Sequence, residues 1–362
     1  MIVEANRSDL SRTRIVDPAT TPLDSGRARI RVDAFALTAN NITYAVFGDA
    51  LRYWDFFPSE ERGVWGRIPV WGFGTVVESA ADGCAVGDHL YGYYPMAGEL
   101  VIEPGRCDDQ GVTDLAAHRA AMAGAYNRYT RCANDPVYRP EREAQQMLLY
   151  PLFFTSFLVD DFFADQDDFG ADQIIVSSAS SKTAIGVAFL AHRRGRSVVG
   201  LTSARNRAFV EGLGIYDAVI DYDAADQIAQ VPSVSVDIAG NRDVQHAVHA
   251  RCTGELRYSM VVGATHWNHQ NETAAIGLAP PAPEFFFAPA QITKRNEEWG
   301  RGELDRRVAA AWDEYSHWTD GWMEIHRSEG PSAVTEVYRT MLGGTADPHV
   351  GFICSLIDTT DP

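Results

Sequence analysis

Lysine is almost missing from this sequence. Only Lys182 and Lys294 occur among the 31 basic residues, and the other 29 are arginines. Because arginine serves wherever a positive charge suffices, a remaining lysine suits a place that needs a compact ammonium, although two lysines can also remain by chance. Both lysines are therefore candidates to hold a cofactor phosphate.

The chain also lacks an excess of positive charge. It has 362 residues, with 49 Asp and Glu against 31 Lys and Arg, and a formal net charge of −18. Proteins that bind nucleic acids or anionic membrane surfaces need a basic surface, so the balance argues against both partners. The length and the 46% hydrophobic content favour a globular protein with two domains.

Cysteines are few, and long apolar runs are missing. The five cysteines form no C-x-x-C pair and have no histidine at metal-ligand spacing, so we expect reduced thiols and no metal site. No run of eighteen apolar residues occurs, and residues 1–7 do not have the pattern of a secretory signal. We therefore expect a cytoplasmic protein that does not cross a membrane.

Changes in the residue pattern predict the organisation of the chain. Short alternating runs predict a β-rich first region, and residues 113–149 predict a helical insertion. Residues 173–201 then read as strand, loop, helix and strand, which is the βαβ unit of a doubly wound parallel sheet. After further buried strands, the sequence predicts a helix over 301–327, another over 332–341 and a last strand over 350–356.

The loop of this βαβ unit lacks the glycines of known phosphate-binding loops. Residues 177–184 read Ser-Ser-Ala-Ser-Ser-Lys-Thr-Ala, which matches neither G-x-G-x-x-G nor the P-loop pattern. A helix N-terminus still offers N–H groups to an anion. Side-chain donors come from Ser178, Ser180, Ser181, Lys182 and Thr183. We expect a phosphate-bearing ligand here, the alternative being that the serines only cap the helix.

The end of the second strand indicates which dinucleotide would bind. NAD-specific proteins place an acidic residue there for the ribose 2′-OH, whereas this chain has Thr202, Ser203 and Arg205. Hydroxyl groups and arginine suit a 2′-phosphate, so the pattern favours NADP(H) over NAD(H). The alternative is that Arg205 and Arg207 simply lie on a solvated helix start.

Several motifs together resemble the zinc-independent branch of the medium-chain dehydrogenase/reductase superfamily, which contains quinone and enoyl reductases. Residues 28–41 resemble its opening strand and Leu-Asn-x-x-Asp loop, and residues 68–78 its Pro-x-x-x-Gly-x-x-x-x-Gly-x-Val-x-Glu stretch. Residues 86–92 are similar to Val-Gly-Asp-Arg-Val-x-Gly, and residues 214–222 to Gly-Ala-Asp-x-Val-Ile-Asn-Tyr. The cysteine and the Gly-His-Glu of zinc-dependent members are missing, so the resemblance implies no zinc.

This resemblance implies an α/β fold. A GroES-like β-rich domain is expected over residues 1–154 and 288–362, with the insertion at 113–149, and a Rossmann domain with a doubly wound parallel sheet over 155–287. The resemblance also implies an active site in the cleft between the domains. It further implies a homodimer formed through the edge strand near 285–287.

The resemblance implies an NADPH-dependent reductase of a small, apolar, unsaturated substrate: an enone, an enoyl thioester or a quinone. Tyr44 is the expected proton donor, with Asn41 beside it and Tyr53 in reserve, although Tyr44 could equally be a core aromatic. The resemblance adds three cofactor-binding positions: Tyr222, Gly240 and Gly263. The alternatives are an NADP(H)-binding protein without turnover, or a lyase built on the same fold.

Overall fold

Two compact units make up the chain. The computed structural model describes residues 1–19, 21–238, 240–262, 277–300 and 302–357. The first unit is Met1–Leu148 with Met323–Pro362, and the second is Leu149–Trp322.

The strands and helices have the following bounds. The strands are β1 (Ile2–Asn6), β2 (Thr13–Val16), β3 (Ala28–Leu37), β4 (Trp65–Gly66), β5 (Pro69–Ser79), β6 (His89–Pro95), β7 (Glu99–Ile102), β8 (Pro104–Asp108), β9 (Gly111–Asp114), β10 (Arg128–Arg131), β11 (Gln173–Val176), β12 (Ser197–Thr202), β13 (Ala218–Asp221), β14 (Ser233–Asp237), β15 (Leu256–Val261), β16 (Glu284–Phe285), β17 (Glu324–Glu329) and β18 (Val350–Ser355). The helices are α1 (Ala39–Val46), α2 (Gly124–Asn127), α3 (Glu143–Asp165), α4 (Lys182–Arg193), α5 (Arg207–Gly212), α6 (Arg242–Arg251), α7 (Ala288–Trp299), α8 (Glu303–Trp318) and α9 (Pro331–Leu342).

The first unit is rich in β-structure, as predicted. Its large sheet has the order β17-β18-β3-β5-β6-β10-β9-β8, with β7 also paired to β3, and a smaller sheet has the order β2-β1-β4. Strands β3 and β5 approach closely because Gly72 has no side chain: a Cβ there would lie 2.5 Å from the Ala34 carbonyl oxygen. The core between these elements is built from buried aliphatic residues such as Ile30, Val32 and Val70.

The second unit contains the predicted doubly wound sheet. In the described part of this unit, six parallel strands have the order β13-β12-β11-β14-β15-β16. Strands β11 and β14 are buried throughout, as expected for a parallel sheet with both faces covered. From β11 the chain moves first to β12 and β13 on one side and later to β14 on the other. Ligands of such sheets bind beyond the carboxyl ends of the strands at this switch point.

The predicted helical insertion at 113–149 is only partly confirmed, because short helical turns there alternate with two strands. Thr113 of β9 pairs with Arg128 of β10 in an antiparallel ladder, and α3 begins only at Glu143. Tertiary contacts override the helix-forming composition here. Arg119 is fully buried and donates to Asp114 at the end of β9 and to Tyr129 in β10, so its side chain holds the two strands together. The end of the predicted helix over 301–327 is wrong, because β17 forms there by pairing with β18.

Helices α7 and α8 fall in the second unit, whereas the predicted domain boundary at 288 puts them in the first. They pack against α3: Gln291 donates to Asp161 at 2.6 Å, and Arg295 pairs with the same carboxylate at 2.6 Å. Leu304 and Leu158 share one apolar cluster. Helix α3 is long and apolar enough to cross a membrane by length and composition alone. Its buried residues include Phe153, Leu158 and Phe163.

Candidate functional site

The loop between β11 and α4 contains no glycine. Ser178 nevertheless adopts the left-handed conformation, with φ +53°, in which glycine is usually found. The turn is held by backbone hydrogen bonds from Ala179 to the Leu201 carbonyl at 2.9 Å and from Ser181 to the Ser178 carbonyl at 2.7 Å. A non-glycine residue in this conformation costs about 1 kcal/mol, which the surrounding contacts offset.

The loop leads into the N-terminus of α4. Ser181 caps this helix, and its Oγ accepts a hydrogen bond from the Ala184 N–H at 3.3 Å. The first turn contains no acidic residue, so the positive end of the helix dipole is not neutralised from within the helix. Lys182 and Thr183 form the start of this turn. An anion is therefore favoured beside it.

Residues that follow β12 and β13 contact this loop. Asn206 donates from Nδ2 to Ser180 Oγ at 2.9 Å, and the Tyr222 hydroxyl donates to Ser178 Oγ at 3.4 Å. Thr202 at the end of β12 is fully buried, and its Oγ1 has no hydrogen-bond partner within the described ranges. Asn206 was not predicted, and the only signal for it is a polar side chain shortly after a strand end.

Lys182, Arg205 and Arg207 differ in their surroundings. Lys182 is half-buried, and desolvation lowers the pKa of its ammonium to about 8. Arg205 is exposed in the short 3-10 turn that follows Ser203. Arg207 is already neutralised, because it pairs with Glu211 at 2.9 Å and Asp221 at 3.2 Å.

The other predicted cofactor positions are less well supported. Lys294 on α7 is ion-paired with Asp165 at the end of α3 and lies 3.8 Å from Glu298. Since α7 packs on α3, this lysine has the setting of a helix-pairing residue rather than of a phosphate ligand. Gly240 follows β14 with φ +69°, and Gly263 lies outside the described residues.

A buried polar network supports the loop from behind. Ser177 donates to Asp237 at 2.5 Å and accepts from the Ile238 N–H at 3.0 Å. Gln245 of α6 donates to the second oxygen of Asp237. These bonds join the ends of β11 and β14, so they fix where the loop begins.

The predicted proton donor lies in a second site, within the first unit. Tyr44 on α1 is buried among aromatic rings, and Asn40 donates from Nδ2 to its hydroxyl oxygen at 2.6 Å. The ring centroids of Tyr53 and Tyr93 lie 4.4 Å and 5.8 Å from that of Tyr44. We call the whole group the tyrosine cluster: Tyr44, Tyr53, Phe56, Phe57, Trp71, Tyr93 and Tyr126.

Burial disfavours ionisation of the hydroxyl groups of this cluster. Desolvation raises the pKa of Tyr44, Tyr53 and Tyr93 well above the ordinary value. The Trp71 indole and the Tyr93 hydroxyl offset part of the rise at Tyr44. Neither Trp71 Nε1 nor Tyr93 Oη, both buried, makes a hydrogen bond of ordinary geometry in the described part of the chain. The cluster thus holds buried polar groups near a protonated tyrosine.

Asn41 has structural contacts. Its Oδ1 accepts from the Thr38 N–H at 2.7 Å, and its Nδ2 donates to the Pro69 carbonyl at 2.8 Å. The side chain therefore caps α1 and ties it to β5. Asn41 positions the helix that carries Tyr44, and its predicted catalytic role stays a prediction.

Comparisons with known proteins support the fold. A family model described as "Protein of unknown function (DUF2855)" matches residues 35–347. No curated protein has significant sequence similarity to the chain. CurA from Vibrio vulnificus, solved in complex with NADPH, is 12% identical with a TM-score of 0.60, over 96% of this chain and 94% of that one. The quinone oxidoreductase from Coxiella burnetii is 13% identical with a TM-score of 0.58, over 98% and 99%. The predicted fold, a GroES-like β-rich domain and a Rossmann domain with a doubly wound parallel sheet, is confirmed.

Proposed function

The chain belongs to the DUF2855 family, and we propose that it is a zinc-independent, NADPH-dependent reductase of an activated C=C bond or a quinone. The observation that carries the proposal is the loop at the carboxyl ends of β11–β13. It combines a left-handed Ser178, a helix N-terminus without acidic residues and the ammonium of Lys182. CurA, which has the same fold, was solved with NADPH.

The residues of the second unit fit this cofactor. The N-terminus of α4, with Ser180, Ser181, Lys182 and Thr183, would hold the pyrophosphate. Ser203 and Arg205 would hold the 2′-phosphate. The buried Thr202 hydroxyl, unpartnered within the described residues, is one more group that a ligand could satisfy.

The tyrosine cluster would supply the protein's part of the chemistry. NADPH, when bound, supplies the hydride. The Tyr44 hydroxyl would donate from Oη, either a hydrogen bond to the substrate carbonyl oxygen or a proton to the carbon that gains negative charge, and its raised pKa favours the first of these roles. Asn40 orients this hydroxyl by its hydrogen bond of 2.6 Å. The surrounding rings exclude water from it.

The tyrosine cluster favours one part of the substrate range. The rings and hydroxyl groups around Tyr44 suit an uncharged, conjugated carbonyl compound. Quinones and enones are therefore preferred over enoyl thioesters.

A dimer is part of the proposal. Strand β16 lies at the edge of the parallel sheet, and Phe285 and Phe287 are 41% and 60% exposed. An exposed apolar edge strand can pair with a strand of another chain. Pairing with the same strand of a second copy, related by a two-fold axis, would extend the sheet. We expect light scattering coupled to size exclusion to give twice the chain mass, and a monomer at micromolar concentration would contradict this.

The function is tested by binding and turnover together. NADPH should bind in calorimetry, and its absorbance should fall when enones, quinones or enoyl thioesters are added in the presence of a metal chelator. Binding without turnover of any acceptor would favour a cofactor-binding protein. Activity that the chelator abolishes would contradict the zinc-independent assignment.

A further inference from the structure

A buried arginine anchors the segment between β9 and β10. Arg119 is fully buried and donates to Asp114 Oδ2 at 3.0 Å, Asn127 Oδ1 at 3.0 Å and the Tyr129 hydroxyl at 2.8 Å. It also donates to the Tyr126 carbonyl oxygen, and Asn127 donates back to the Arg119 carbonyl at 2.9 Å. We call residues 115–127 the anchored loop.

The anchor closes both ends of this loop. Asp114, at its start, accepts hydrogen bonds from the backbone N–H groups of Glu103 and Ala116, each at 3.0 Å. The guanidinium also lies 5.0 Å from the centre of the Phe57 ring. A buried ion pair stabilises a fold less than well-packed apolar side chains of the same volume would. The presence of this pair in the loop is therefore better explained by the geometry that it fixes.

The anchored loop carries Tyr126 into the tyrosine cluster. Its ring centroid lies 4.8 Å from Tyr93, 5.4 Å from Phe56 and 6.5 Å from Tyr53. The ring stands nearly perpendicular to those of Phe56 and Tyr53, at 72° and 78°. Tyr126 therefore cannot swing aside without breaking several ring contacts.

We propose that the anchored loop is the specificity wall of the acceptor site, with Tyr126 limiting acceptor width and Arg119 as its positioning residue. This inference rests on the proposed function, because it places the acceptor beside Tyr44 and Tyr53. A flat acceptor with one ring is accepted, and fused-ring acceptors are disfavoured by Tyr126.

The test compares binding of two quinones to the full chain by calorimetry: duroquinone, with one ring, and 9,10-phenanthrenequinone, with three fused rings. Tyr126→Ala should raise the affinity for the fused-ring quinone relative to duroquinone by about tenfold, the scale of a small change in an apolar pocket. Tyr126→Phe keeps the ring and should leave this ratio unchanged. A folded Tyr126→Ala with an unchanged ratio, or a wild type that binds neither quinone, would overturn the proposal.

Two further variants test the anchor itself. Arg119→Lys keeps the charge but loses the fork of donors, and Asn127→Ala removes one partner without touching the charge. Both should shift the ratio in the same direction as Tyr126→Ala, and a shift in neither would refute the positioning role of Arg119. If these ratios shift but NADPH is never oxidised, the reductase proposal fails while the wall stands.

Discussion

The loop at residues 177–183, which we propose holds the cofactor phosphates, and the tyrosine cluster hold their side chains in different ways. In the loop, small residues next to one another in sequence are fixed by backbone hydrogen bonds such as Ala179 to Leu201. In the cluster, large rings from α1, β5, β6 and the anchored loop are fixed by packing and by the buried Arg119. An anion site can therefore be built locally, whereas an apolar wall needs distant elements and an anchor. Substitutions should affect mainly affinity in the loop, and stability or turnover in the cluster.

The largest effect is expected from Arg119→Met. It leaves the buried Asp114 carboxylate without its cation, which should lower the free energy of unfolding by about 3–5 kcal/mol. Arg128→Met is the matched control, because Arg128 pairs with the exposed Asp108 and its loss should cost less than about 1 kcal/mol. Urea unfolding measures the loss of stability in both variants. Equal losses would mean that the buried Arg119 contributes no more to stability than the exposed ion pair does.

Tyr44→Phe comes next and acts on turnover. Loss of the positioned hydroxyl should lower kcat about a hundredfold, the usual scale for a general acid, with little change in NADPH affinity. Tyr53→Phe serves as the comparison, since its ring packs on Tyr44 at 4.4 Å. If Tyr53→Phe loses more activity than Tyr44→Phe, then Tyr53 and not Tyr44 is the donor to the substrate.

The two lysines offer a matched pair in the second unit. Lys182→Met should weaken NADPH binding by about 1–3 kcal/mol, the range of a charge-assisted contact. Lys294→Met removes a cation that is ion-paired with Asp165 and should leave the affinity unchanged. Calorimetry decides, and equal affinities of the two variants would remove Lys182 from the cofactor site.

The same lysine predicts a pH dependence. Burial lowers the pKa of Lys182 to about 8, so its ammonium is charged below that pH and neutral above it. NADPH affinity should fall as the pH rises beyond this value in the wild type, but not in Lys182→Met. Because the unfolded state binds this proton more tightly, the free protein should gain stability from the same group as the pH rises from about 8 toward the ordinary lysine pKa of about 10.4. If NADPH affinity depends on pH in the same way in the wild type and in Lys182→Met, the assignment of Lys182 to the cofactor site is contradicted.

The smallest effect concerns cofactor choice. NADPH should bind about tenfold tighter than NADH, and Arg205→Ala should abolish that preference. Arg207→Ala should retain it, since Arg207 is neutralised by Glu211 and Asp221. Titrations with both cofactors measure the ratio, and a preference unchanged in Arg205→Ala would rule this residue out.

The two regions also differ in how well the sequence predicts them. Strand β11 and the loop residues are adjacent in sequence, so local patterns place Ser178, Ser180 and Lys182 together. Trp71, Tyr93 and Tyr126 come from distant segments and meet only through tertiary packing, which no local pattern encodes. The same cause explains the partial error at 113–149, where a buried arginine overrides helical composition.

The central claim is hydride transfer from NADPH, and deuterium labelling tests it most directly. The protein is mixed with an enone and with NADPH carrying deuterium on either face of the nicotinamide C4, and the product is analysed by mass spectrometry. One of the two labelled cofactors should place a single deuterium on the β-carbon of the product, while the α-carbon takes its hydrogen from solvent. A reduced product without cofactor deuterium from either label, or NADPH left intact with every enone and quinone tried, would contradict the account.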